Sequence, residues 1–224
     1  MELLLYFWDL MVHLDKHLAN LLLQYGAWVY LLLFLIVFCE TGLVVTPFLP
    51  GDSLLFIAGA LTVAGSGAGT LNIATLNLLL IAAAILGNTT NYWIGRYFGP
   101  KVFAWEDSRF FNRAAFDKAH AFYERHGGKT IVITRFVPIL RTFAPFVAGV
   151  AQMAHMRFQS YNIAGGVFWV ASLTLAGYWF GNIPWVKANL TLIIFALIII
   201  PGLPAVFATI QHWNEQRRKR SPGG

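Results

Sequence analysis

Charged residues are scarce in this sequence, and their scarcity argues against a soluble globular protein. Only 12% of the 224 residues are charged, 58% are hydrophobic, and the mean hydropathy is +0.62. No Asp, Glu, Lys or Arg occurs in three long windows, 53–95, 158–186 and 188–214. A membrane-spanning helix needs about 20 mainly apolar residues, and each window can supply one. The sequence therefore predicts an all-α polytopic membrane protein.

The usual motifs of enzymes and metal sites are also missing. There is no His-Glu-x-x-His, no Cys-x-x-Cys and no Gly-x-Ser-x-Gly, and no P-loop lysine follows the glycines of 65–69. Those patterns would supply zinc ligands, a nucleophile or a phosphate-binding loop. The one cysteine, Cys39, excludes an intrachain disulfide and is interpreted as a packing residue. We expect no enzymatic activity, no metal ion and no cofactor.

The segment 1–24 lacks the basic n-region of a signal peptide, and its mixture of apolar and charged residues predicts an amphipathic helix at the membrane interface.

The net charge of +6 comes largely from two short segments: seven of the sixteen basic residues lie in 96–129 and four in 217–220. Basic segments beside hydrophobic windows are typical of cytoplasmic loops. This distribution argues against a nucleic-acid partner, which is the alternative for a basic chain.

The topology follows from placing the basic tail, 215–224, in the cytoplasm. Spans are predicted at about 188–212, 158–180, 71–95 and 27–42, all within one membrane domain, 1–214. Because both flanks of 129–153 must then be cytoplasmic, this segment is predicted to be a re-entrant hairpin. A second hairpin, entering from the outside, is predicted at about 43–63.

Prolines and glycines supply the backbone breaks that both hairpins need. They are Pro47, Pro50 and Gly51 in the first hairpin, and Pro138, Pro145 and Gly149 in the second. The sequence 56–60 resembles 146–150, and 95–99 resembles 177–181. We therefore predict two inverted repeats, each a hairpin followed by transmembrane helices, with a binding site between them near the midplane.

Four ionisable residues lie in these broken apolar segments: Glu40, Asp52, Arg135 and Arg141. A charge at membrane depth costs about 3 kcal/mol or more, so it is usually kept for pairing or for function. A carboxyl group in such a place either pairs with a cation or takes up a proton. Glu40 and Asp52 are thus candidate proton carriers, and the alternative is a structural ion pair joining the hairpins.

Arginine keeps its charge at any working pH, so Arg135 and Arg141 can hold an anion but cannot carry protons. Guanidinium groups match phosphate geometry, which makes a phosphate-bearing lipid headgroup the natural ligand. The alternative, pairing with Glu40 and Asp52, is compatible with this reading if the arginines alternate between the two partners. Asn88 and Asn91 are interpreted as interhelical hydrogen-bonding residues.

These motifs resemble those of the bacterial DedA family. The resemblance rests on Glu40, the segment 47–52, Gly95 with Arg96, and the segment 135–149, and it extends over about residues 10–215. It implies an inner-membrane protein related to VTT-domain lipid scramblases. In the family, the essential acids correspond to Glu40 and Asp52 and the essential arginines to Arg135 and Arg141. Relatives often have an acid where this chain has Asn88.

The resemblance further implies a link to the recycling of undecaprenyl phosphate and to the proton motive force. The leading hypothesis is a flippase for a phosphate-bearing lipid, either a polyprenyl phosphate or a phospholipid, with protons as the coupling partner. A proton-coupled exporter of small molecules or cations, and a non-transport scaffold for envelope or division proteins, are the alternatives. A homo-oligomer is compatible with the sequence.

Overall fold

The computed structural model describes residues 14–43, 51–63, 71–103, 128–135 and 138–189, together with 192, 193 and 196. Every regular element within these ranges is a helix. The helices are α1 (Leu14–Tyr25), α2 (Trp28–Gly42), α3 (Gly51–Ala60), α4 (Ile73–Phe103), α5 (Lys129–Thr134), α6 (Pro138–Val150), α7 (His155–Phe180) and α8 (Pro184–Ala188).

Local chemistry explains where several helices begin. The Asn72 side chain accepts hydrogen bonds from the backbone N–H groups of Ala74 (2.9 Å) and Thr75 (3.1 Å), which caps the start of α4. Pro138 and Pro184 each occupy the first residue of a helix, where the missing N–H costs nothing. Asp52 lies in the first turn of α3, where the helix dipole favours a negative charge.

Two of the described helices are long and apolar enough to cross a membrane, Ile73–Phe98 within α4 and His155–Phe180. They coincide with the predicted spans 71–95 and 158–180. The two helices run antiparallel, because residue numbers fall along α7 as they rise along α4. The side chains of Asn77 and Thr89 in α4 hydrogen-bond with those of Thr174 and Gln159 in α7, respectively.

The remaining helices pack on this antiparallel pair. Helices α2 and α6 lie against α4, whereas α3 and α5 lie against α7. One apolar core is shared by five helices, α1, α2, α3, α4 and α7, and includes Leu33, Leu55, Leu80 and Trp169. A smaller core around Tyr92 and Phe158 joins α4, α5, α6 and α7 with the segment that links α6 and α7.

Helices α3 and α7 approach each other through two glycines. A Cβ atom on Gly59 would overlap the carbonyl oxygen of Thr174, and one on Gly177 would overlap that of Phe56. The overlapping residues are three positions before the glycine on each helix. The two backbones are thus in direct contact, which larger side chains would prevent.

Helices α6 and α4 repeat this arrangement. A Cβ atom on Gly149 would overlap the carbonyl oxygen of Tyr92, and one on Gly95 would overlap that of Phe146. The three-residue spacing is the same as in the α3–α7 contact. The sequence similarities noted above therefore fall on two helix contacts of matching geometry.

The prediction that Pro145 and Gly149 break the second hairpin is wrong, because both lie inside α6. The helical segment is interrupted before Pro138 instead, because α5 ends at Thr134 and α6 begins at Pro138. A proline inside a helix is tolerated where neighbouring helices supply hydrogen bonds to the backbone it disturbs. Here Asn91 Nδ2 of α4 donates to the backbone oxygen of Thr142, three residues before the proline (2.8 Å).

Several predictions fall outside the described residues. These are the breaks at Pro47 and Pro50, nearly all of the span 188–212 and the tail 215–224. The predicted N-terminal helix is described only from Leu14 onwards, as α1.

Candidate functional site

Arg141 of α6 joins the two acidic residues, of which Glu40 is buried and Asp52 is partly buried. Its Nη1 donates to Asp52 Oδ1 at 2.7 Å, and its Nη2 donates to Glu40 Oε1. Glu40 is fully buried, Arg141 is 6% exposed and Asp52 is 14% exposed. Three of the four predicted charges therefore form one buried ion-pair network across α2, α3 and α6.

The start of α3 completes the surroundings of Glu40. The backbone N–H of Gly51 donates to Glu40 Oε1 at 3.3 Å, so the carboxylate lies at a helix N-terminus, where negative charge is stabilised. A Cβ atom at position 51 would overlap Glu40 Oε2. Glycine at position 51 therefore lets the chain pass close to the carboxylate, rather than only breaking a helix.

Trp169 of α7 contacts both an acidic residue and the two arginines. Its Nε1–H donates to Asp52 Oδ1 at 2.9 Å, on the oxygen that also accepts from Arg141. The Cζ atom of Arg141 lies 5.2 Å from the centre of the indole, and that of Arg135 lies 6.0 Å from it. Both guanidinium groups are thus within cation–π range of one buried ring.

Arg135 has a different environment from Arg141. It follows the last residue of α5 and is 3% exposed. Its Nη2 donates to the side-chain oxygen of Asn162 (2.5 Å) and to the Asn162 backbone oxygen (3.2 Å), and no described carboxylate pairs with it. The fourth predicted charge therefore lies beside the network without being neutralised by it.

Asn91 of α4 holds the two sides of the network together. Its Nδ2 donates to the backbone oxygen of Thr41 (3.2 Å) and to that of Thr142 (2.8 Å). These residues directly follow Glu40 and Arg141 in the sequence. The prediction that Asn91 forms interhelical hydrogen bonds is confirmed, and its bonds fix α2 and α6 at the spacing that the ion pair requires.

The site retains buried polar atoms without a hydrogen-bond partner. They include Glu40 Oε2 and the Nε atoms of Arg135 and Arg141. Leaving such groups unpaired in a low-dielectric interior is costly, and in native proteins it calls for an explanation, such as a ligand or a functional role. Chemically, Glu40 Oε2 could take up a proton, and the two Nε–H groups could donate to an anion.

Sequence reasoning missed Trp169 and Asn162. Both are buried in α7, and each contacts one of the predicted charged residues. Trp169 lies in the middle of an uncharged window, whereas interfacial tryptophans lie near window ends. Asn162 is a polar residue in the same window, and the two are seven positions apart, or about two helical turns, on one face of α7. A tryptophan in the middle of an apolar window, with a polar residue on the same helix face, was the sequence signal that could have identified both residues.

Comparison with known proteins identifies the family. The model of the VTT domain matches residues 49–179. The chain is 53% identical to the protein named DedA from Escherichia coli (strain K12) over 212 residues, which is 95% of this chain and 96% of that protein.

More distant relatives agree with this assignment. An uncharacterized membrane protein of Mycobacterium tuberculosis (strain H37Rv) is 45% identical, covering 82% of this chain and 79% of that protein. The inner membrane protein YqjA of Escherichia coli (strain K12) is 34% identical, covering 80% and 79%. No solved structure matches the chain. The chain therefore belongs to the DedA family of VTT-domain membrane proteins.

Proposed function

We propose that this protein is a membrane transporter that moves a phosphate-bearing lipid across the bacterial inner membrane. The observation that supports this is the buried site of two arginines and two carboxylates, in which Arg141 pairs with both carboxylates and Arg135 pairs with no carboxylate among the described residues. The resemblance to the DedA family favours undecaprenyl phosphate as the lipid, and the basic tail 215–224 favours a cytoplasmic C-terminus.

We propose that Arg135 is the first residue to bind the phosphate. Both of its hydrogen bonds among the described residues come from Nη2, and its Nε is buried without a partner. The remaining donors suit two-point recognition of a phosphate oxygen pair. A cation exporter would instead need available carboxylates, but Glu40 and Asp52 both accept hydrogen bonds from Arg141.

Charge balance in this site would link phosphate binding to proton uptake. With all four side chains ionised, two positive and two negative charges cancel. A phosphate monoester adds a charge of about −1.5 to −2 near pH 7, which a buried site cannot hold uncompensated. Protonation of Glu40 and Asp52 would restore neutrality and release Arg141 to bind the phosphate as well. Because the two binding events favour each other, a proton gradient can drive the lipid.

The matched helix contacts support the predicted inverted repeats. The α3–α7 contact through Gly59 and Gly177 and the α6–α4 contact through Gly149 and Gly95 share one geometry. The helices α4 and α7 that receive them run antiparallel. We propose that α3 and α6 belong to two re-entrant hairpins of opposite direction, between which the charged network lies, and that movement of one repeat against the other gives alternating access.

Lipid translocation by purified protein in proteoliposomes tests this function. Undecaprenyl phosphate added to one leaflet should reach the other, and an imposed pH gradient should change the rate. Arg135→Gln should abolish this transport because it removes the unpaired cation. Glu40→Gln should remove the dependence on the gradient.

Arg157→Gln is the matched control, because Arg157 is an exposed arginine in the first turn of α7. It should transport at the wild-type rate. Wild-type rates in the Arg135→Gln protein, or no lipid movement by the wild-type protein, would rule out the proposal.

A further inference from the structure

The two arginines of the site differ in the charge of their partners. Arg141 donates to two carboxylates, whereas the described side chain that accepts from Arg135 is the neutral amide of Asn162. Asparagine and aspartate have nearly the same size, so a carboxylate at position 162 could reach Arg135 and pair with it. The chain has a neutral acceptor there instead.

The orientation of the Asn162 amide is determined by its other contacts. Its Nδ2 donates to the backbone oxygen of Ile85 (3.1 Å) and to Thr89 Oγ1 (3.2 Å), both on α4. Thr89 Oγ1 in turn donates to Gln159 Oε1 at 3.0 Å. With the amide nitrogen committed to acceptors on α4, the oxygen faces Arg135.

Helix α7 also leaves room for the guanidinium group. Gly165 and Gly166 lie beside Arg135, where an added Cβ would come within 3.2 Å of its Cδ and 3.4 Å of its Nη1, respectively. Among the described residues, the charged group beside Arg135 is Arg141, which in turn pairs with Glu40 and Asp52. Near Arg135, α7 provides Asn162, the two glycines and Trp169, none of which is charged.

We infer that Asn162 is a positioning residue that sets the anion affinity of the site: it holds Arg135 in place while leaving its positive charge available to a phosphate. This inference rests on the proposed function. A carboxylate at the same position would keep the hydrogen bond but neutralise the arginine. Neutrality of residue 162, rather than its shape, is thus the property on which phosphate binding depends.

Two substitutions separate neutrality from shape. Asn162→Asp keeps the size and the acceptor oxygen but adds a negative charge, and like Asn162→Ala it loses the Nδ2 hydrogen bonds to α4. Asn162→Ala loses the side chain but leaves Arg135 unpaired. If Asn162 only supports the fold, the alanine variant should be the more damaged of the two. If it sets anion affinity, the aspartate variant should bind phosphate less well than the alanine variant.

The assay is calorimetric titration of the full-length protein in lipid nanodiscs with farnesyl phosphate, and with farnesol as the uncharged probe. We expect Asn162→Asp to weaken farnesyl phosphate binding by about tenfold or more, as the coupling of close buried charge pairs implies. Asn162→Ala should change it only a few-fold. Farnesol binding should be the same in all three proteins, which a misfolded variant would not satisfy.

Asn77→Asp controls for the addition of any carboxylate within these helices. Asn77 lies on α4 and accepts from Thr174 on α7, and it contacts no described charged residue. It should bind farnesyl phosphate as the wild-type protein does.

Wild-type affinity in Asn162→Asp, or a greater loss in Asn162→Ala, would overturn the inference and leave the proposed function standing. Equal binding of farnesol and farnesyl phosphate by the wild-type protein would overturn both.

Discussion

Replacement of Arg141 by glutamine should destabilise this protein strongly, because it leaves two buried carboxylates without their shared cation. Arg141 donates to Glu40, which is fully buried, and to Asp52, which is 14% exposed. The Trp169 and Gly51 N–H groups would remain as donors to these carboxylates, but neither carries a full charge.

The magnitude follows from comparing the intact network with the broken one. At a charge separation of about 4 Å and an effective dielectric constant of about 20, each ion pair is worth about 4 kcal/mol. The desolvation of three charges offsets much of this gain, so the intact network contributes little net stability. Removing one partner alone leaves buried charge uncompensated, which costs about 3–5 kcal/mol.

The triple variant Glu40→Gln, Asp52→Asn and Arg141→Gln makes this reasoning testable. It removes every charge of the network while keeping polar side chains of similar size. We expect it to recover most of the stability that Arg141→Gln loses, and to lie within about 2 kcal/mol of the wild-type protein.

The measurement is the free energy of unfolding in detergent micelles, obtained by titration with sodium dodecyl sulfate and followed by circular dichroism. Arg157→Gln, at an exposed arginine of α7, should change this free energy by less than about 0.5 kcal/mol. A triple variant no more stable than Arg141→Gln, or an Arg141→Gln protein as stable as wild type, would refute the electrostatic argument.

Three further substitutions test the surroundings of the network, each by the same unfolding measurement. Trp169→Phe keeps an aromatic side chain, although a smaller one, and removes the N–H donated to Asp52. It should cost about 1.5–3 kcal/mol, and an unchanged value would mean that this hydrogen bond adds nothing. Gly51→Ala should cost about 1–3 kcal/mol and slow lipid transport, because its Cβ would displace the Glu40 carboxylate; wild-type transport would contradict the close approach. Asn91→Leu removes two hydrogen bonds between helices and should cost about 1–3 kcal/mol, and a stable variant would show that α2 and α6 keep their spacing without it.

Predictions from the sequence were most accurate where they depended on hydrophobicity alone. The uncharged windows predicted the two long helices α4 and α7, because the length of an apolar run directly reflects the thickness of the bilayer. They were less accurate for the backbone breaks. Pro145 was expected to interrupt a helix, but it lies inside α6, where contacts from α4 compensate for the disturbed backbone.

The sequence by itself determined that Glu40, Asp52, Arg135 and Arg141 are exceptional, because a charge within an apolar segment is costly wherever the chain folds. It could not distinguish the two arginines, which have the same chemistry and similar neighbours. Arg141 and Glu40 are 101 residues apart, and only the packing of α2, α3 and α6 brings them together. The tertiary structure decided that Arg141 meets two carboxylates while Arg135 meets the neutral Asn162, since pairing depends on distances in space and not along the chain.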